Sequence, residues 1–242
     1  MVSAVIVAGG KGERMGYDIP KQYINIKGRE ILAITLDAFE SCESIDEIIL
    51  VVPESYIDFC LKNIVEKYCF KKVKKVVKGG LSRQESVYNG LLNCNPHCEV
   101  VVIHDGVRPF IQENIIQKSI EGAKKFGACA VGVYVKDTIK VVDDEKFIVS
   151  TLKRDELISI QTPQTFKYDL ILKSHEYAKQ NNITATDDCA LSEGYGCKVK
   201  IIEGDYFNIK ITTREDIIIA RAIYDSLLKN FKEEQNENWS RL

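Results

Sequence analysis

Short runs of Val, Ile and Ala alternate along this chain with longer stretches in which apolar residues recur at helical spacing. The first pattern predicts strands over residues 3–8, 47–52, 73–78, 100–104 and 128–135. The second predicts helices over 31–39, 57–68, 84–92 and 115–126. The strand runs are continuously apolar rather than alternating, as expected of strands buried on both faces. The fold class is therefore α/β: a Rossmann-like, mostly parallel twisted sheet with helices on both faces. In such sheets ligands gather at the C-terminal ends of the strands, so the polar segments there are where chemistry is expected.

The alternation breaks after Val135. Residues 136–154 read as two short strands joined by the charged turn Asp143-Asp144-Glu145-Lys146, a β-hairpin arm (about 136–150) protruding from the α/β body. Its Ile139, Val141, Phe147 and Ile148 need cover, either from the chain's own domain or from a second copy in an interlocking homodimer. Helices over 168–180 and 214–231 follow, with a strand over 198–202 between them, and the polar tail 232–242 is expected to fray. With no internal repeat or linker, residues 1–231 are expected to form a single domain.

Composition narrows the function classes. The 242 residues can bury a sizeable core, and 33 Lys plus Arg against 35 Asp plus Glu give a formal net charge of -2. That balance speaks against a general nucleic-acid or membrane-surface binder. No apolar run approaches the roughly twenty residues of a membrane span, and the N-terminal MVSAVIVAGGKGERMG lacks a basic n-region. The eight cysteines show no disulfide-framework spacing, so a reducing cytoplasm is the expected compartment. A local basic cluster remains free to bind a small anion.

Such a cluster follows the first strand. A-G-G-K-G-E-R-M-G, from Ala8, leads on to P-K-Q at Pro20–Gln22. Gly9, Gly10 and Gly12 permit close backbone approach to an anion, and Lys11, Arg14 and Lys21 supply the charge that polyphosphate requires. It is neither a P-loop, lacking the G-K-[ST] ending, nor G-x-G-x-x-G, because residue 15 is Met. At the end of the fourth strand, V-V-I-H-D-G-V-R-P-F places Asp105 where a carboxylate suits Mg²⁺ held jointly with substrate phosphates, with Arg108 near a second phosphate. His104 reads either as a base or as a hydrogen-bonded structural residue. In G-G-L-S-R-Q-E-S-V (Gly79–Val87), Ser82 is a plausible N-cap with Glu85 as capping-box partner, while the same loop backbone can read a base edge. Asp187 and Asp188 fit a helix N-terminus as well as a site. Lys210, in an apolar run read as a strand, needs an anionic partner if it points inward. Cys94-Asn95-Pro96-His97-Cys98 gathers three soft ligands, but with no second pair it reads as a turn rather than a zinc site.

Taken in order, A-G-G-x-G-x-R-M-G, P-K-Q-Y, G-G-x-x-R-x-x-S-V, H-D-x-x-R-P, V-K-D-T-I-K, Q-T-P-Q-T-F, T-D-D and N-I-K-I-T resemble the bacterial cytidylyltransferases that act on 2-C-methyl-D-erythritol 4-phosphate in isoprenoid precursor synthesis. The resemblance runs from about Ser3 to Ala222. It implies that Ala8, Gly9, Gly10, Lys11 and Gly12, with Arg14 and Lys21, embrace the CTP phosphates, and that Gly80, Leu81 and Ser86 line the cytosine and ribose pocket. It places Asp105 on Mg²⁺, and Gly106, Arg108, Thr186 and Lys210 toward methylerythritol phosphate. It also makes the hairpin a dimer arm whose Thr138 and Arg154 enter the neighbouring subunit's site. Two positions depart from the pattern. Leu81 stands where some relatives carry an acid, and Phe207 precedes Asn208 where relatives often place one, leaving Asn208 as the nearby candidate for a second metal contact.

The chemistry implied is in-line attack by a phosphate monoester on CTP with release of pyrophosphate. A monoester, with a second pKa of about 6, needs no general base near neutral pH, and no Ser–His–Asp or Cys–His arrangement stands out. Arg14, Lys21 and Lys210 are the residues expected to stabilise the transferring group. Ribitol 5-phosphate cytidylyltransferases share the first loop, H-D-x-x-R-P and Q-T-P-Q-T-F, but R-Q-E-S-V, V-K-D-T-I-K and T-D-D-C-A-L look more like the methylerythritol enzymes. A non-catalytic nucleotide-binding protein would be expected to lack Asp105 or Lys210.

Overall fold

The computed structural model describes residues 1–10 and 19–239, with 230–239 as backbone only. From the N-terminus, β1 (Val2–Val7) is followed by a small hairpin of β2 (Asn25–Ile26) and β3 (Arg29–Glu30), and by α1 (Ile31–Ser41). Then come β4 (Glu47–Val52), α2 (Ile57–Cys60), β5 (Val73–Lys78), α3 (Arg83–Leu91) and β6 (Val100–Asp105). Helix α4 (Glu113–Phe126) leads to β7 (Ala128–Tyr134), the hairpin β8 (Lys140–Val142) and β9 (Ile148–Thr151), and then β10 (Ile158–Lys167). Last are α5 (Tyr168–Gln180), α6 (Asp188–Gly194), β11 (Lys200–Glu203) and α7 (Arg214–Trp239).

The main sheet has seven strands in the order β11–β7–β10–β6–β1–β4–β5. All pairings are parallel except those of β10, which runs antiparallel to both β6 and β7. Continuous apolar strands are explained by the two cores. Ala4 and Ile6 of β1 pack with Leu32, Leu36 and Phe39 of α1 and with Ile116 and Ile120 of α4. Val5, between them, packs on the opposite face with Val87 and Leu91 of α3 and Ile171 of α5. A third cluster seats Ile217, Ala220 and Ile223 of α7 against Ile31, Val107 and Ile211, which anchors the chain on either side of the strand ends.

Several elements differ from expectation. The helix expected over 57–68 is a short α-helix that continues as a π-helical stretch over Leu61–Glu66. Strand β10 has no apolar run to announce it: Gln161, Thr162, Gln164 and Thr165 are all buried polar residues. A register slip against β7 between Ile160 and Gln164 accommodates the Pro163 segment inside the sheet. Residues 208–213, expected as a strand around Lys210, form no ladder; Ile211 N–H donates to the Val107 carbonyl (3.0 Å) instead. Helix α7 runs on to Trp239, beyond the expected end at 231. No helix among the described residues is long and apolar enough to cross a membrane.

The arm is a separate two-stranded sheet, and residues 136–156 are all exposed. Ile139, Val141, Phe147 and Ile148 lie open, Phe147 at 67% of its full accessibility, so the arm protrudes as expected and its own domain does not cover these side chains.

Helix α3 carries the site residues considered below, and its seat is tight. A Cβ on Gly90 would lie 2.4 Å from Val5 Cγ1 and 3.0 Å from Val51 Cγ2. Gly90→Ala is therefore expected to destabilise the fold by about 1–3 kcal/mol through overpacking, read as a lowered midpoint in urea unfolding.

Candidate active site

The sheet register brings Val7 and Asp105 side by side at the C-terminal ends of β1 and β6. Asp105 is buried, and three cations converge on its carboxylate: Lys210 Nζ at 2.8 Å, Arg83 Nε at 3.1 Å and Arg108 Nε at 3.8 Å. Burial alone would raise the carboxyl pKa, but Arg83, then Lys210, hold it well below the usual carboxylate range. Two carboxylates, Asp105 and the Asp188 that also pairs with Arg83, face three cations, which leaves an excess of positive charge that suits phosphate.

A cleft of ≈ 490 Å³ opens on one side of this carboxylate, floored by Ala8, Gly9 and Gly10 at the end of β1. Lys21 lines it from the turn Lys21–Tyr23 and donates to the Ile211 carbonyl (2.9 Å), while Gln22 pins the Ala8 carbonyl (2.7 Å). The opposite lip is the loop before α3, with Gly80, Leu81 and Ser86. Ser82 caps the helix by accepting from Glu85 N–H (3.0 Å), as the sequence indicates. The Glu85 carboxylate reaches one residue further back than a capping box requires and accepts from Leu81 N–H (2.6 Å). Ser86 Oγ accepts from Gly80 N–H (3.0 Å), and the Leu81 side chain stands fully exposed. Glu85 packs so close that a Cβ on Gly80 would lie 2.2 Å from Glu85 Cβ, so only glycine fits. Lys11, Gly12 and Arg14 lie outside the described residues.

A second cleft of ≈ 240 Å³ lies on the other side of the same carboxylate. Arg83, Asp105 and Lys210 line both clefts; Arg108, Gln161, Thr162, Gln164 and Thr186 line the second. Arg108 Nη1 donates to the Asn208 carbonyl (2.8 Å), and the Asn208 amide donates to Gln161 Oε1 (3.1 Å) and the Thr162 carbonyl (2.9 Å). Among the described residues, Arg108 Nε and Asn208 Oδ1 are buried with no hydrogen-bond partner. Asp105 fits a divalent ion as one carboxylate acting together with substrate phosphates. Among the described residues no group of three or more His, Cys, Asp or Glu forms a cage, which also removes the zinc reading of Cys94–Cys98.

The other predicted residues fall away from the clefts, except Asp187, which lines the second. Gly106 lines neither; its N–H donates to the Val7 carbonyl (2.8 Å) and its carbonyl accepts from Thr35 (3.1 Å), so it ties β1 to α1. Thr138 and Arg154 lie on the exposed arm, Arg154 donating to the Lys136 carbonyl (3.2 Å). Asp187 is the N-cap of α6, accepting from Ala190 N–H (2.9 Å), whereas its neighbour Asp188 turns inward to Arg83 (2.8 Å). Arg83 is the residue that sequence reasoning left unassigned. Its signal was a cation in the first turn of a helix, where the dipole disfavours positive charge and a nearby carboxylate is needed to hold it.

Two clefts meeting at one cation-ringed carboxylate bring two phosphate-bearing molecules face to face, the arrangement of an α/β nucleotidyltransferase. The chain matches the family model of 2-C-methyl-D-erythritol 4-phosphate cytidylyltransferase (IspD) over residues 2–226, and it belongs to that family. The protein of that name from Clostridium novyi (strain NT) is 51% identical over 224 residues, covering 93% of this chain and 96% of the relative. The one from Alkaliphilus oremlandii (strain OhILAs) is 51% identical over 221 residues, covering 91% and 94%. Among solved structures, the 4-diphosphocytidyl-2C-methyl-D-erythritol synthase of Anaerococcus prevotii DSM 20548 matches with a TM-score of 0.82 and 40% identity, covering 93% of this chain and 96% of that one.

His104 takes the structural role. It is buried between the Arg108 carbonyl (3.0 Å) and Thr162 Oγ1 (3.1 Å), and burial pushes its pKa down to about 4. The unfolded chain takes up this proton near pH 6.5 and the folded one only near 4, so stability is lost as pH falls through that window, by about 3 kcal/mol. His104→Gln is expected to flatten this part of the pH dependence, measured by urea unfolding between pH 7 and pH 4.

Proposed function

We propose that this chain transfers CMP from CTP to 2-C-methyl-D-erythritol 4-phosphate, giving 4-diphosphocytidyl-2-C-methyl-D-erythritol and pyrophosphate. The observation that carries the reading is the shared wall of Asp105, Arg83 and Lys210 between a glycine-floored cleft and a smaller polar one. Membership of the family names the reaction, and the two clefts give each substrate a place.

In this reading the triphosphate lies over Ala8, Gly9 and Gly10, with Lys21 beside it, and Lys11, Gly12 and Arg14 of the same loop complete the cradle. The base and ribose lie against Gly80, Leu81 and Ser86. The acceptor phosphate enters the second cleft beside Arg108 and Thr186. One of its oxygens attacks the α-phosphorus, a new P–O bond forms, and the bond to the β-phosphate breaks to release pyrophosphate. The monoester is already largely dianionic, given a second pKa of about 6, so no residue need remove a proton. The task of the side chains is to hold two anions together and offset the charge that builds at the α-phosphorus. Lys210, Arg14 and Lys21 are suited to this by charge, and Lys210 by its place on the shared wall. Asp105 is the residue to hold Mg²⁺, with Asn208 Oδ1 as a second candidate contact, and the ion would neutralise charge on the phosphates.

The arm is best read as the contact between two copies of the chain. Apolar side chains open to water along both of its strands need a partner surface, and Thr138 and Arg154 would then reach the neighbouring site.

Pyrophosphate release tests the reaction. CTP with methylerythritol phosphate is expected to support turnover, with ribitol 5-phosphate, UTP and ATP poor substitutes; turnover only with a sugar 1-phosphate overturns the assignment. Lys210→Ala is expected to lower kcat by roughly 10²–10³-fold while CTP affinity changes far less, as for loss of a transition-state contact. Unchanged turnover in that variant removes Lys210 from the chemistry.

A further inference from the structure

Behind the shared wall, a chain of buried contacts leads away from both substrates. Arg83 divides its guanidinium between two carboxylates, Nε to Asp105 Oδ1 (3.1 Å) and Nη1 to Asp188 Oδ2 (2.8 Å). Asp188 is fully buried at the start of α6, and its own N–H donates to Gln164 Oε1 (3.0 Å). Its second oxygen, Oδ1, is 3.1 Å from His175 Nε2 on α5. His175 is 2% exposed, and its ring stacks on Tyr88 of α3 with centroids 6.0 Å apart and planes at 18°. His175 lines neither of the two clefts that meet at Asp105.

We propose that His175 and Asp188 are positioning residues that hold Arg83 at the junction of the two clefts. The inference rests on the reading of the site given above. Arg83 has two anchors, and one of them, Asp105, is the carboxylate that a metal–nucleotide complex engages. When Asp105 is so engaged, Asp188 is the anchor that remains. A carboxylate can fix the orientation of a guanidinium only if it is itself fixed. Asp188 meets that condition because Gln164 holds its backbone and His175 its outer oxygen. Burial alone would raise the Asp188 carboxyl pKa, but Arg83, then the His175 hydrogen bond, keep it below the usual range and ionised. With the carboxylate ionised, His175 Nε2 is the donor. The Tyr88 ring limits rotation of the imidazole, so α3 holds Arg83 at one end of the relay and braces His175 at the other.

The test compares His175→Leu, which removes the donor, with His175→Gln, which keeps an N–H near the Nε2 position. His175→Leu is expected to lower kcat, or raise KM for the acceptor, by roughly 10–100-fold, the usual effect of removing an outer partner, with CTP affinity within about twofold. His175→Gln recovers most of that loss. In an Arg83→Gln background, His175→Leu adds little, because the residue it positions is already gone. A role in stability alone lowers the unfolding midpoint without this pattern. Wild-type kinetics in His175→Leu, or an equal loss in the Arg83→Gln background, overturns the proposal.

A second readout does not depend on substrate identity. The Arg83 Nε–H signal in ¹H–¹⁵N spectra, assigned by its loss in Arg83→Lys, is expected to be sharp in the wild type. It broadens or moves toward the solvent-exposed arginine position in His175→Leu and returns in His175→Gln. If the wild type fails to turn over CTP with methylerythritol phosphate, the reading of the function fails while this signal still decides the positioning. An Arg83 signal unchanged by His175→Leu overturns the positioning role whatever the substrates are.

Discussion

The site is organised by one buried carboxylate carrying more positive charge than it can neutralise. Asp105 could not stay ionised at the end of β6 without partners, and Lys210, Arg83 and Arg108 converge on it from three separate parts of the chain. Each of those parts has its own reason to be there. Arg83 sits in the first turn of α3, where the helix dipole opposes a cation, and it is tolerated because Asp105 and Asp188 both face it. Lys210 lies in a segment with no ladder of its own, held by Ile211 to Val107 and by Arg108 to the Asn208 carbonyl. Against these three cations stand Asp105 and Asp188, and the charge left over suits a phosphate-bearing ligand.

The sheet makes this convergence possible. Six parallel strands alone would leave apolar residues on both faces, with chemistry confined to the loops at their ends. Inserting β10 antiparallel between β6 and β7 places Thr162 beside Asp105 and brings Gln161 and Gln164 to the wall of the second cleft, with a register slip near Pro163. Thr162 serves several neighbours at once: Oγ1 accepts from Asp105 N–H (3.1 Å) and contacts His104 Nδ1 (3.1 Å). Gln164 fixes the start of α6, and with it Asp188. The polar strand is thus a scaffold for the second cleft and for the second anchor of Arg83.

How much of this was legible in the sequence depended on whether a residue's role is local. Strand β4 was readable to the residue because buried parallel strands are continuous apolar runs, β5 from the valines between the exposed lysines of an edge strand, and Ser82 as a cap because capping is decided within one turn. Asp105 was legible from its place just past a buried strand. Strand β10 was not, since its buried residues are polar and are satisfied only by partners far along the chain. For the same reason the TDD segment looked ambiguous: Asp187 is the cap, Asp188 the ion-pair partner, and adjacency in sequence hides different partners in space. Gly106 was attributed to the substrate by resemblance alone, whereas its hydrogen bonds tie β1 to α1. Motif order carried the acceptor's identity, which neither spacing nor periodicity could supply.

On this reading of the site, the Asp105 carboxylate is what makes the junction between the two clefts chemically competent. Pyrophosphate release by Asp105→Asn, at saturating CTP and methylerythritol phosphate, tests it most directly, with CTP binding and far-UV circular dichroism measured on the same samples. Turnover is expected to fall by roughly 10²–10³-fold in a folded protein that still binds the nucleotide. Wild-type turnover from folded Asp105→Asn would contradict it.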